Sequence, residues 1–108
     1  MKGKIVLIPF PFTDLTATKL RPALVLYESE KDVVAAFISS RTEKTKPTDI
    51  TIDQKHPEFK KTGLKLTSII KLDKVATISK TLILGEIGEV GAKLKKEINR
   101  KITEVYEL

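Results

Sequence analysis

The chain has 108 residues, 41% hydrophobic and 31% charged, which fits one domain spanning 1–108 with a modest core. It has no cysteine and one histidine, His56, so disulfides, thiolate-bound metal centres and histidine metal cages are excluded, as is acid–base work by a histidine pair. Twenty Lys and Arg against fourteen Asp and Glu give a net charge of +6, which favours a polyanionic partner, nucleic acid first.

Met1-Lys2-Gly3-Lys4-Ile5 leads into a short apolar run broken by prolines, unlike the core of a signal peptide. No stretch approaches the roughly 20 apolar residues of a membrane span, so a cytoplasmic protein is expected. Ile5-Val6-Leu7-Ile8 reads as a strand, and Pro9 and Pro11 put its end at a sheet edge or in an extended arm. Thr13 to Leu20 reads as a polar loop, Pro22 to Tyr27 as a second strand, and Glu28 to Asp32 as an acidic turn.

Val33 to Ile38 is an apolar run of the kind buried on both faces of a sheet. Ser39 to Thr48 is a basic loop, and Asp49-Ile50-Thr51-Ile52 alternates like a half-buried strand. Asp53 to Gly63 reads as a loop with one helical turn. Leu66 to Leu72 and Val75 to Ile78 form a strand bent at Asp73-Lys74, and Leu82 to Ile87 a last short strand. Val90, Leu94, Ile98, Ile102 and Val105 then recur at spacings of three and four, the stripe of an amphipathic helix. The expected fold is mainly β with α: a strongly bent barrel of five to seven short strands with a C-terminal helix packed on it.

Three segments carry candidate chemistry, the third being Thr42 to Thr48. In Lys19-Leu20-Arg21-Pro22 a guanidinium sits at the start of a strand, and Pro22 biases Arg21 toward extended backbone. A planar guanidinium on a rigid base suits bidentate binding of a phosphate. In Ile38-Ser39-Ser40-Arg41 a strand ends in two hydroxyls and a cation, which either bind phosphate or ribose oxygens or merely close a turn. Lys44 and Lys46 beyond them fit a groove for a nucleic-acid backbone, or a solvated loop. Apart from Asp14 the sequence offers no obvious proton acceptor near Arg21, and it does not name the general base.

The order Val6 to Phe12, Arg21-Pro22-Ala23-Leu24-Val25-Leu26, Ile38-Ser39-Ser40-Arg41 and Ser68 to Lys74 resembles the PemK/MazF-like family. The stretch Leu72 to Ile78 and the terminal helix extend the likeness over essentially the whole chain. The resemblance implies an SH3-like barrel of the PemK/MazF/CcdB type, usually a homodimer, acting as the toxin of a toxin–antitoxin pair. It implies a metal-independent, cofactor-free endoribonuclease that cuts single-stranded RNA, with an antitoxin as protein partner and DNA bound by the toxin–antitoxin complex. Arg21 and Ser39 fall on the catalytic positions, and Lys19, Pro22, Ser40, Arg41, Lys44, Lys46 and Asp14 are expected to contact substrate. Ser39 stands where better-studied members carry threonine. Two other readings stay open: a non-catalytic nucleic-acid-binding barrel, and a degenerate toxin kept for binding its partner.

Overall fold

A computed structural model describes residues 1–10 and 19–108, without the side chain of Phe10. Alternating residues along the first three strands send apolar groups to opposite sides of one sheet, building two cores. The strands are β1 (Lys4–Phe10), β2 (Lys19–Glu28), β3 (Asp32–Ser39), β4 (Asp49–Ile52), β5 (Ser68–Ser79) and β6 (Gly85–Glu89). They pair antiparallel in the order β4-β5-β3-β2-β1-β6. A helix α1 (Phe59–Thr62) lies between β4 and β5, a 3₁₀ turn (Lys80–Leu82) follows β5, and helix α2 (Ala92–Tyr106) ends the fold.

One core gathers Ile5, Leu24, Ala36, Ile38, Ile50, Ile70 and Leu72 beneath Leu94 and Ile98 of α2. The other gathers Val6, Ile8, Ala23, Val25, Val33, Ala35 and Ile78 on the opposite face. The apolar run of β3 is therefore divided between both cores, as its composition requires. Each fully buried Leu, Ile or Val contributes roughly 1.5–3 kcal/mol of burial free energy. The strand–helix sequence and the curled antiparallel sheet match the expected barrel.

The sheet curls because β5 is bent. Ala36 pairs with Val75, yet Phe37 pairs with Lys71, so Leu72-Asp73-Lys74 bulge out of the β3–β5 ladder. A bulge raises local twist and re-aims neighbouring side chains. The two flanks of the sheet also meet through α1. Gly63 ends α1 in the left-handed region at φ 74°, and its α-carbon lies so close to β6 that a Cβ would sit 2.7 Å from the Ile87 carbonyl carbon.

Four boundaries differ from the sequence reading, one being the start of β5 at Ser68 rather than at the exposed Leu66. Lys19 and Leu20 belong to β2 rather than to a loop, because the β1 pairing continues through Pro9↔Leu20 to Phe10↔Lys19. The last strand begins at Gly85, not Leu82. Ser79 caps the 3₁₀ turn by accepting the Thr81 N–H, which takes Leu82 out of the sheet and leaves it exposed. The helix begins at Ala92, and Val90 enters the core from the segment just before it. Pro9 does sit at an edge: β6 pairing stops at Leu7↔Gly85, so among the described residues β2 alone accompanies β1 beyond that point.

Candidate active site

Arg21 and Ser39 come from adjacent strands. The last recorded β2–β3 pair is Ala23↔Phe37, and the same register carried two residues further sets Arg21 beside Ser39. Side-chain alternation puts Arg21 on the face of Ala23 and Val25, and Ser39 on the face of Ala35 and Phe37, so both continue the second core outward. There they line one open groove of about 550 Å³.

The groove is bounded by Lys19, Arg21, Phe37, Ile38, Ser39, Ser40, Arg41, Lys71 and Lys74. Five of these are cations and none is acidic. Arg21, Lys19, Arg41 and Lys74 make no ion pair among the described residues, which leaves their charge available to an anion. Like charges gathered in a concave wall focus a positive potential on whatever enters. The hydroxyl oxygen of Ser39 accepts the Arg41 N–H at 3.1 Å, which fixes its place at the strand end and keeps its proton for donation.

Two smaller hollows flank the groove and share its residues. On one side Lys44, Lys46 and the carboxylate of Glu43 join Ser39, Arg41 and Lys71. Lys46 also bonds Asp73 on the bulge at 3.2 Å, tying the basic loop to β5. On the other side Pro22 joins Arg21, Ser40, Leu64, Leu66 and Ser68 around about 150 Å³. Of the residues singled out in sequence, Lys19, Arg21, Ser39, Ser40 and Arg41 meet in the central groove, and Pro22, Lys44 and Lys46 stand beside it. Asp14 lies outside the described residues. Arg21 itself sits two residues inside β2, paired with Ile8, and not at a loop junction.

Sequence reasoning passed over Lys71 and Lys74. The bulge places them: Lys71 faces Phe37 across the ladder, and Lys74 falls within the looped-out residues. The polar Asp73-Lys74 pair breaking an apolar strand was the one signal that could have pointed there. His56 is engaged elsewhere. Its Nδ1 accepts the Glu58 N–H at 3.0 Å, which leaves Nε2–H to face Glu97 at 3.2 Å. Among the described residues no three His, Cys, Asp or Glu side chains gather as metal ligands, and no helix is long and apolar enough to cross a membrane.

Solved structures share this architecture. The Mycobacterium tuberculosis toxin MazF-mt6 superposes with a TM-score of 0.75 at 20% identity, covering 97% of both chains. A mycobacterial endoribonuclease in complex with its cognate antitoxin gives 0.72 at 22% identity, covering 100% of this chain and 95% of that one. A mycobacterial endoribonuclease structure gives 0.70 at 22% identity, covering 100% of this chain and 91% of that one. No curated protein matches the chain in sequence. The family model of PemK-like, MazF-like toxins of type II toxin–antitoxin systems matches residues 1–106, and the chain belongs to that family.

Proposed function

We propose that the groove binds single-stranded RNA and cuts it without a metal, at short preferred sequences, as the toxin of a toxin–antitoxin pair. The observation that carries this reading is the convergence of Arg21 and Ser39 on one cationic groove. RNA supplies its own nucleophile. The ribose 2′-oxygen attacks the adjacent phosphorus, the bond to the 5′-oxygen breaks, and the products are a 2′,3′-cyclic phosphate and a 5′-hydroxyl. Holding that oxygen in line with the leaving group is worth about 7–11 kcal/mol in favourable cases.

Negative charge gathers on the non-bridging phosphoryl oxygens as the new bond forms. The Arg21 guanidinium, charged at any working pH, stabilises it, and the Ser39 O–H donates to one of those oxygens. No carboxylate or imidazole stands among the described residues of the groove wall. In this reading solvent water carries the protons, taking one from the 2′-oxygen and returning one to the leaving oxygen. Electrostatic stabilisation carries the rate.

A cognate antitoxin is the protein partner, and an acidic segment complements the five cations of the wall. Exposed Leu20, Leu66, Leu82 and Leu84 favour pairing of two copies, which a sizing measurement reads directly. Action on RNA, with DNA bound by the toxin–antitoxin complex, places the protein in the cytoplasm.

Binding without cleavage is the second reading, favoured by the missing base in the described wall. Incubation with RNA in excess chelator separates the two. New ends on ribose substrate, and none where deoxyribose replaces the ribose at the cut, support the nuclease. Intact RNA, or cleavage of DNA, rejects it.

A further inference from the structure

Asp49 opens β4, and its side chain is 1% exposed. One oxygen, Oδ2, accepts the Lys46 N–H at 2.8 Å, and the Asp49 N–H returns a bond to the Lys46 carbonyl at 2.9 Å. The other, Oδ1, is buried with no hydrogen-bond partner among the described residues, and Lys71 Nζ stands 3.8 Å away. A buried carboxylate oxygen left half-satisfied costs stability, so its retention calls for a reason beyond the turn that Oδ2 already closes.

The sheet supplies one. Asp49 is directly across from Lys71 in the β4–β5 ladder, and Lys71 is directly across from Phe37 in the β5–β3 ladder. These three residues therefore form one row on one face, running from a buried anion to the groove wall. Phe37 and Lys71 both line the groove beside Arg21 and Ser39, and Lys71 is the charged member of the row there. At 3.8 Å the ammonium is close enough to be held by charge, yet free of the hydrogen bond that would commit its donors to Asp49.

We propose that Asp49 is a positioning residue that holds the Lys71 ammonium at the groove wall, where it bridges the buried carboxylate and a phosphate of bound RNA. This rests on the reading of the groove as an RNA site. Without Asp49, Asp73 and Glu43 compete for Lys71: Asp73 is lowered against its burial by Lys46 and, to a lesser degree, by Lys71, and Glu43 lines the flanking hollow with Lys71. Neither lines the central groove. Lys71 drawn to either is lost to the substrate.

The test is a double-substitution cycle read by binding. A 2′-O-methyl RNA oligonucleotide, which cannot be cut, is titrated with wild type, Asp49→Asn, Lys71→Gln and the double variant at several salt concentrations. Asn keeps an oxygen for the Lys46 N–H, so the turn survives, and thermal unfolding verifies the fold. Each single variant is expected to weaken binding several-fold and to reduce the log–log salt slope by about 0.7, the share of one phosphate contact on a single strand. The double variant is expected to match Lys71→Gln alone, and Lys71→Arg to retain the slope. Additive losses from the two substitutions, or an unchanged slope in Lys71→Gln, overturn the proposal. Should Asp49→Asn fail to fold, Asp49→Ser takes its place in the cycle, its hydroxyl accepting the Lys46 N–H without a charge. Binding with this coupling but no cleavage of unmodified RNA defeats only the nuclease reading. Cleavage without the coupling defeats only this one.

Discussion

The carboxylate of Glu58 accepts the backbone N–H of Leu94 at 2.8 Å, and so caps α2 from a distant part of the chain. Its second oxygen accepts the Lys93 N–H at 3.0 Å. Helix starts leave such donors unsatisfied, and here the residue at the cap position, Gly91, has no side chain to serve them. Gly91 also makes room, since a Cβ there would lie 2.5 Å from the Glu58 carboxyl carbon.

Two substitutions should therefore fail together. Glu58→Ala is expected to lower the thermal midpoint by several degrees, with Glu58→Gln between it and wild type. Gly91→Ala should do the same by pushing the carboxylate away, and should add little in the Glu58→Ala background. Calorimetry of the five proteins checks this. Independent, additive losses would show that the cap is not what Gly91 protects.

The meeting of α1 with β6 gives a sharper loss. Gly63 combines a positive φ with backbone contact to Ile87, so Gly63→Ala meets both strain and collision. A destabilisation of about 3 kcal/mol or more is expected in urea unfolding. An effect near zero would mean that the two flanks of the sheet are not locked at this point.

Acid should unfold the protein through identifiable carboxylates. Lys80 and the N-terminal ammonium, each 2.6 Å away, hold Glu28 down from its ordinary 4.5 to about 2. Glu58 is lowered by the N–H groups it caps, and Glu89 by Lys4. A carboxylate depressed on folding stabilises fully above its unfolded value and loses that contribution as pH falls through its folded one. Stability should thus decline below about pH 4.5 and continue down toward about pH 2. Lys4 is raised above 10.5 by Glu89 and Glu86, so its contribution is present below that pH and fades above it. Urea midpoints across pH test both limbs, and Glu28→Gln should make the acid limb shallower.

Ser39 tests how much the hydroxyl needs restraint. A threonine keeps the O–H and adds a methyl that narrows the side-chain rotamers and favours a strand. Ser39→Thr is expected to raise the single-turnover cleavage rate a few-fold, and Ser39→Ala to lower it about tenfold or more. A faster Ser39→Ala enzyme would remove the hydroxyl from the chemistry.

Much of this fold could be read along the chain because its signals are local. The spacing of Leu94, Ile98 and Ile102 states a helix, and Asp73-Lys74 within an apolar run states a bend. Leu82 and Leu84 misled, since apolar residues imply burial, yet the Ser79 cap turns the chain and leaves both exposed. The Arg21–Ser39 pairing was visible through motif order, whereas Lys71 was not. Its place in the groove depends on a bulge that shifts β5 against β3, and its tie to Asp49 depends on the register of β4. Neither register leaves a periodic trace in sequence.

The most direct measurement is the chemistry of RNA ends produced in chelator by wild type and by Arg21→Ala. The account predicts 2′,3′-cyclic phosphate and 5′-hydroxyl ends from wild type, with the rate falling about 10²–10³-fold in Arg21→Ala. Ends of the opposite polarity, or equal cutting by both proteins, would contradict it.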